Sequence, residues 1–105
     1  MSEVTIPFRF HFKDKLLDGT KVYTARSKCL GKPGDTFTAF GATFELLSVE
    51  DTSLYEVSLL WREEGCASRE DFIQIWNEIH PRTGYSDSRR VYLHHFKKLT
   101  PTGGR

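Results

Sequence analysis

No stretch of this 105-residue sequence approaches the ~20 consecutive apolar residues that a membrane-spanning helix requires; its apolar runs are only a few residues long. A membrane protein is therefore not expected. The N-terminus carries Glu3 and no apolar core segment, which predicts no secretory signal and a cytoplasmic protein. Cysteine is scarce. Cys29 and Cys66 are the only two, with no CxxC and no Cys/His pair at ligand spacing, which argues against zinc and more strongly against a disulfide framework. Both are read as free thiols. The four histidines add no ligand set, because His94 and His95 in a strand point to opposite faces and His11 and His80 lack a partner at i+4. No metal and no cofactor are expected. Charge of one sign is lacking too: a net charge of +1 leaves no overall electrostatic footprint for nucleic acid. There is no internal repeat, low-complexity segment or linker. One domain over residues 1–99 is expected, followed by a flexible tail over 100–105.

What is present is ordinary globular material, 38% hydrophobic and 28% charged. Val4, Ile6, Phe8, Phe10 and Phe12 alternate on one face, which predicts a half-buried opening strand that, because of Pro7, lies at a sheet edge or starts pairing only after it. Residues 13–18 read as a helical turn closed by Gly19. A strand carrying Thr24 follows. Lys32-Pro33-Gly34-Asp35 has the chemistry of a type II turn and feeds a strand over Thr36–Phe40, which Gly41 reverses into Thr43–Val49 as a hairpin. Ser53 opens a capping box, and Leu54, Val57, Leu60 and Trp61 recur at helical spacing up to Gly65. Ser68 caps a second helix, with Glu70 and Asp71 in its first turn, Phe72, Ile75, Trp76 and Ile79 as its apolar stripe, and Pro81 as its stop. Trp61 and Trp76 are read as core. Residues 82–89 form a loop and 90–99 a last strand. The order predicts an α+β fold: a mostly antiparallel sheet that curls toward a barrel, with two to three helices across one end.

Charge is unevenly distributed. Residues 1–80 hold nine Lys/Arg against thirteen Asp/Glu, a balance of −4, whereas 81–105 hold six against one, a balance of +5. Arg82, Arg89, Arg90, Lys97 and Lys98 are thus candidates for a phosphate-tracking, nucleic-acid contact surface, with the solvated face of a strand and loop as the alternative. The chemistry concentrates earlier, where Gly19-Thr20-Lys21-Val22-Tyr23-Thr24-Ala25-Arg26 packs a turn, a lysine, a hydroxyl and an arginine into one strand start. Val22, Thr24 and Arg26 share one face of a regular strand, and Tyr23 and Ala25 the other.

The run Leu17–Arg26, the turn Lys32–Asp35, Glu64-Gly65-Cys66 with Ser68–Phe72, Trp76–Pro81 and Val91–Phe96 stand in the order and spacing of an ASCH domain. Over nearly its whole length the chain resembles that family of PUA-like β-barrels. The resemblance implies recognition of RNA or of modified nucleosides. A small branch of similar length consists of amidohydrolases that remove the acetyl group from N4-acetylcytidine, using a Lys, a Thr and a Glu. By position these fall on Lys21, Thr24 and Glu64, with the adjacent Glu63 as the alternative carboxylate. The sequence departs from the family at Val22, where a threonine is usual, and in a longer segment over 82–89 that resembles other ASCH branches, some of which bind or cleave RNA.

A threonine hydroxyl attacks a carbonyl only when a base takes its proton, and a lysine serves as that base when burial or another cation favours its neutral form. A neighbouring carboxylate works against this, so Lys21 acts as a base only if desolvation prevails, and otherwise as a charged oxyanion stabiliser. Lys21 and Thr24 can cooperate only if Lys21 still belongs to the turn. Arg26 is the candidate for binding a carbonyl, ribose or phosphate oxygen, and Tyr23 and Tyr85 are the candidates for stacking on substrate. The leading expectation is a monomeric amidohydrolase acting on N4-acylated cytidine or a related modified nucleoside. The alternatives are a non-catalytic RNA-binding module and a ribonuclease drawing on His80, Tyr85, His94 and Lys97.

Overall fold

The computed structural model describes residues 2–99, so the expected tail over 100–105 lies outside the described residues. Three helices, α1 (Lys13–Leu17), α2 (Leu54–Ser58) and α3 (Arg69–Ile79), accompany four strands, β1 (Tyr23–Arg26), β2 (Thr36–Ala39), β3 (Ala42–Ser53) and β4 (Arg90–Lys98). The strands form one curled antiparallel sheet in the order β1-β4-β3-β2, half of a barrel wall. A bulge between Leu46 and Ser48 shifts the β3–β4 register and adds local bend to the longest strand pair.

Local chemistry explains the joints. Gly34 at φ +95° and the bond from the Asp35 N–H to the Lys32 carbonyl make the expected turn into β2. Phe40 and Gly41, at φ 51° and 82°, close the β2–β3 hairpin with two left-handed residues, the turn whose twist matches that of antiparallel strands. The Ser53 and Ser68 hydroxyls accept from the N–H groups of Glu56 (3.2 Å) and Asp71 (3.0 Å), capping α2 and α3.

Two expectations need correction. The opening segment is not a strand: it touches the sheet through one parallel bridge, Glu3 to Thr36, then winds into a 3-10 turn over Phe10–Phe12. Alternation holds as far as Phe8 and then fails, leaving Phe10 74% exposed while Phe12 turns under the sheet. Pro7 has no N–H for a ladder, and its carbonyl is taken by the Arg26 side chain instead of by a strand. The second correction concerns α2, which stops at Ser58 rather than continuing toward Gly65. The N–H groups of Leu59 and Leu60 reach back three residues, to Glu56 and Val57, and the Ser58 hydroxyl donates to the Tyr55 carbonyl (2.6 Å), so the helix tightens and ends.

Two apolar clusters result. One gathers Ile6, Phe12, Leu16, Phe37, Phe44, Leu46 and Phe96, with ring centroids of Phe37, Phe44 and Phe96 5.2–5.6 Å apart. The other gathers Ala25, Leu54, Val57, Cys66, Phe72, Trp76, Val91 and Leu93, and Ile75 packs against both.

His94 is fully buried in β4, and its bonds define its tautomer. Nε2 accepts from the Leu30 N–H (3.0 Å), so Nδ1 carries the proton toward the carbonyls of Thr24 (3.3 Å) and Tyr92 (3.1 Å). Burial pushes its pKa below the ordinary value of 6.5. The unfolded chain therefore binds the extra proton more readily. The stability owed to neutral His94 is fully present above pH ~6.5 and is lost as pH falls through the lowered folded pKa. Thermal melts between pH 5 and 7.5 are expected to show this loss in the wild type and not in His94→Gln; equal slopes would contradict it.

Candidate active site

The turn into β1 decides where Lys21 goes. Asp18 Oδ1 accepts from the Thr20 N–H (2.8 Å), Gly19 sits at φ +85°, and the Lys21 N–H donates to the Lys15 carbonyl (3.0 Å). β1 starts only at Tyr23, so Lys21 is free of strand alternation and its side chain enters the interior, where it is 2% exposed. There its Nζ lies 2.9 Å from Glu64 Oε1, donates to the Glu64 carbonyl at 2.6 Å and sits 4.5 Å from the Phe12 ring centroid. Gly65 makes this approach possible: it adopts φ +89°, and a Cβ there would stand 3.2 Å from Lys15 Cδ and 3.3 Å from Lys21 Cβ. Glu63 faces elsewhere and contributes its backbone carbonyl, which accepts from Val22 and Tyr23. The carboxylate paired with Lys21 is that of Glu64.

Thr24 is 4% exposed on β1. Its Oγ1 accepts from Arg26 Nε at 3.1 Å, and Arg26 itself lies over the Phe8 ring at 5.0 Å. Lys21, Thr24, Arg26 and Glu64 all line one cavity of about 560 Å³, and its apolar walls come from both clusters: Phe8 and Phe12 from one side, Phe72 and Trp76 from the other. Glu64 Oε2 and Trp76 Nε1 are buried without a hydrogen-bond partner among the described residues. Native interiors rarely leave such groups unpaired, since each costs about 1–3 kcal/mol.

Burial raises the Glu64 carboxyl above its ordinary value of 4.5, against the opposing pull of Lys21 and Arg26. Burial lowers the Arg26 guanidinium, with Glu64 acting the other way. Cys66, also in the cavity wall, is pushed up to about 11 by burial, which keeps it a neutral thiol. Among the described residues no group of three or more His, Cys, Asp or Glu is arranged to hold a metal ion, and no helix is long and apolar enough to cross a membrane.

Several residues singled out in the sequence lie elsewhere. Tyr23 stacks on His95, ring centroids 4.5 Å apart, and Tyr85 donates to Asp87 (2.6 Å) while accepting from Arg69 (3.1 Å); neither lines the cavity. Arg82, Arg89, Arg90, Lys97 and Lys98 are absent from its wall too. Arg90 pairs with Asp51 (3.2 Å), Lys97 with Glu45 (3.8 Å), and Lys98 donates to the Leu17 carbonyl (3.1 Å). Nearly the full length of β4, roughly 25 Å, separates Arg90 from Lys97 and Lys98. His80, Tyr85, His94 and Lys97 are not gathered at one place: of the four, only His80 borders the cavity, stacked on Trp76 at 4.1 Å.

Sequence reasoning missed Arg9 and Lys28, which line the cavity, and took Trp76 only as core. The i, i+4 spacing of Trp76 and His80, the residue that follows α3, was the available signal for a shared aromatic wall.

The half-barrel with helices over one end matches, with a TM-score of 0.59, the crystal structure of an ASCH domain from Lactobacillus crispatus JV V101, covering 92% of this chain and 78% of that one. The chain has the ASCH fold. A second solved structure, of the hypothetical protein PH0355, matches with a TM-score of 0.70 over 94% of this chain and all of the other. Identities of 15% and 14% make this a likeness of fold alone. No protein-family model and no curated protein matches the sequence. Val22 lies ahead of β1 and outside the cavity wall.

Proposed function

We propose that this ASCH-fold protein is an amidohydrolase acting on N4-acylated cytidine or a related modified nucleoside, with Thr24 as nucleophile. The observation that carries the reading is the buried Lys21–Glu64 pair in the same cavity wall as a threonine hydroxyl that accepts from an arginine. With Arg26 Nε on its oxygen, the Thr24 O–H keeps its proton to give away, and the guanidinium favours the alkoxide that forms. Oγ1 attacks the acyl carbon, the C–N bond breaks, and the hydroxyl proton leaves by way of the Lys21–Glu64 pair to the exocyclic amine. Water then hydrolyses the threonyl ester, releases the carboxylate and restores the hydroxyl.

The tension between a lysine base and a neighbouring carboxylate eases here. Burial raises the Glu64 carboxyl and so makes it the better proton acceptor of the two, with Lys21 donating to it. The apolar walls suit a pyrimidine ring and exclude bulk water from the amide. Free thiols at Cys29 and Cys66 suit a reducing, cytoplasmic compartment. Release of acetate from N4-acetylcytidine, followed by proton NMR, tests the reading. Turnover by the wild type supports it, and its absence at micromolar enzyme would transfer the site to RNA recognition.

A further inference from the structure

The cavity wall is far more positive than the chain. Among the described residues Arg9, Lys21, Arg26 and Lys28 line it against the single carboxylate of Glu64. Lys21 and Glu64 neutralise each other, which leaves three cations in a chain of net charge +1. Among the described residues no carboxylate lies within ion-pair distance of Arg9, Arg26 or Lys28. By contrast, Arg90, Lys97 and Lys98, expected to track a polynucleotide, are held by the chain's own oxygens.

The cations also have an order in depth. Lys21 and Glu64 are buried, whereas Arg9, just before the 3-10 turn, and Lys28, two residues past β1, are exposed. A cytidine derivative whose N4 amide reaches the buried pair directs its ribose 5′ carbon toward the opposite, solvent end of the cavity. A volume of about 560 Å³ lies within the range that small-ligand sites occupy, and a nucleoside does not place a charge at that end.

We infer that Arg9 and Lys28 form a phosphate subsite at the cavity mouth, so that the preferred substrate is a nucleoside 5′-monophosphate and not the bare nucleoside. The inference rests on the amidohydrolase reading for the orientation of the substrate, and on the charge of the mouth for the phosphate. A charge-assisted contact of this kind changes affinity by about tenfold or more.

Binding and turnover separate the two. In titration calorimetry at low salt, cytidine 5′-monophosphate is expected to bind wild-type protein at least about tenfold tighter than cytidine. In Arg9→Gln/Lys28→Gln that ratio is expected to fall toward one, and in Lys28→Gln alone to fall part of the way. The ratio of kcat/KM for N4-acetylcytidine 5′-monophosphate over N4-acetylcytidine should follow the same pattern. Equal wild-type affinities, or a preference that survives in the double variant, overturn the phosphate subsite even where N4-acetylcytidine is hydrolysed. A monophosphate preference without hydrolysis of either substrate keeps the subsite and removes the amidohydrolase. A cytidine-containing tetranucleotide that binds more than about tenfold tighter than the monophosphate, with a salt slope of several phosphates at about −0.7 each, would assign the mouth to an RNA strand and overturn the mononucleotide.

Discussion

Thr24→Ala is expected to lower kcat/KM for N4-acetylcytidine by a factor on the order of 10³ or more, with little change in thermal stability. The proposed reaction would lose its nucleophile, while the fold loses one hydroxyl whose hydrogen bond among the described residues comes from Arg26 Nε. The Thr24 carbonyl, which His94 uses to hold β1, stays in place. Thr24→Ser keeps an oxygen on the same backbone and is expected to recover a measurable part of the rate. Paired kinetics and melting curves distinguish this from a structural role. A Thr24→Ala enzyme within tenfold of wild type would place the nucleophile on another atom, and with it the whole proton route through Lys21 and Glu64.

Lys21→Ala should abolish turnover as well, but unlike Thr24→Ala it is expected to weaken the fold. Its ammonium makes two hydrogen bonds to Glu64 where both side chains are buried, and removing it leaves a buried carboxylate without its cation. Breaking a buried pair from one side costs about 3–5 kcal/mol. The pH dependence has a definite sign. Burial already raises the folded pKa of Glu64 above 4.5, and Lys21 is the first of the groups that lower it. Without Lys21 the folded pKa rises further. The protonated form is then compatible with burial, so the stability contribution is fully present below pH ~4.5 and is lost as pH rises through the folded pKa. The melting temperature of Lys21→Ala should therefore fall short of wild type by more at pH 8 than at pH 5. Adding Glu64→Gln in the same chain removes the stranded charge and is expected to recover most of the deficit at pH 8 without restoring activity. A Lys21→Ala deficit that does not change between pH 5 and pH 8 would show that Glu64 does not depend on this lysine.

The sequence by itself determined the joints of the fold and named the residue types of the candidate site. Gly34, Gly41, Ser53 and Ser68 act through the backbone of their own turn or helix end, so their chemistry needs no knowledge of the rest of the chain. For Lys21 the sequence left the choice between the Gly19-Thr20 turn and the strand open, and β1, starting at Tyr23, puts it in the turn. Only the tertiary structure decided which distant groups meet. Glu64 and Glu63 are neighbours in the chain, and they separate because Gly65 lets the 63–66 turn close on Lys21, 43 positions away. The opening segment alternates as a strand does, yet no strand edge takes up its backbone beyond a single bridge, so it wraps the aromatic cluster and delivers Arg9 to the cavity. The basic residues after Pro81 look like one surface in a linear count, but β4 spreads them along its length and Asp51 and Glu45 neutralise two of them. Backbone conformation is set within a few residues, whereas pairing and burial depend on what the fold brings together across dozens of positions.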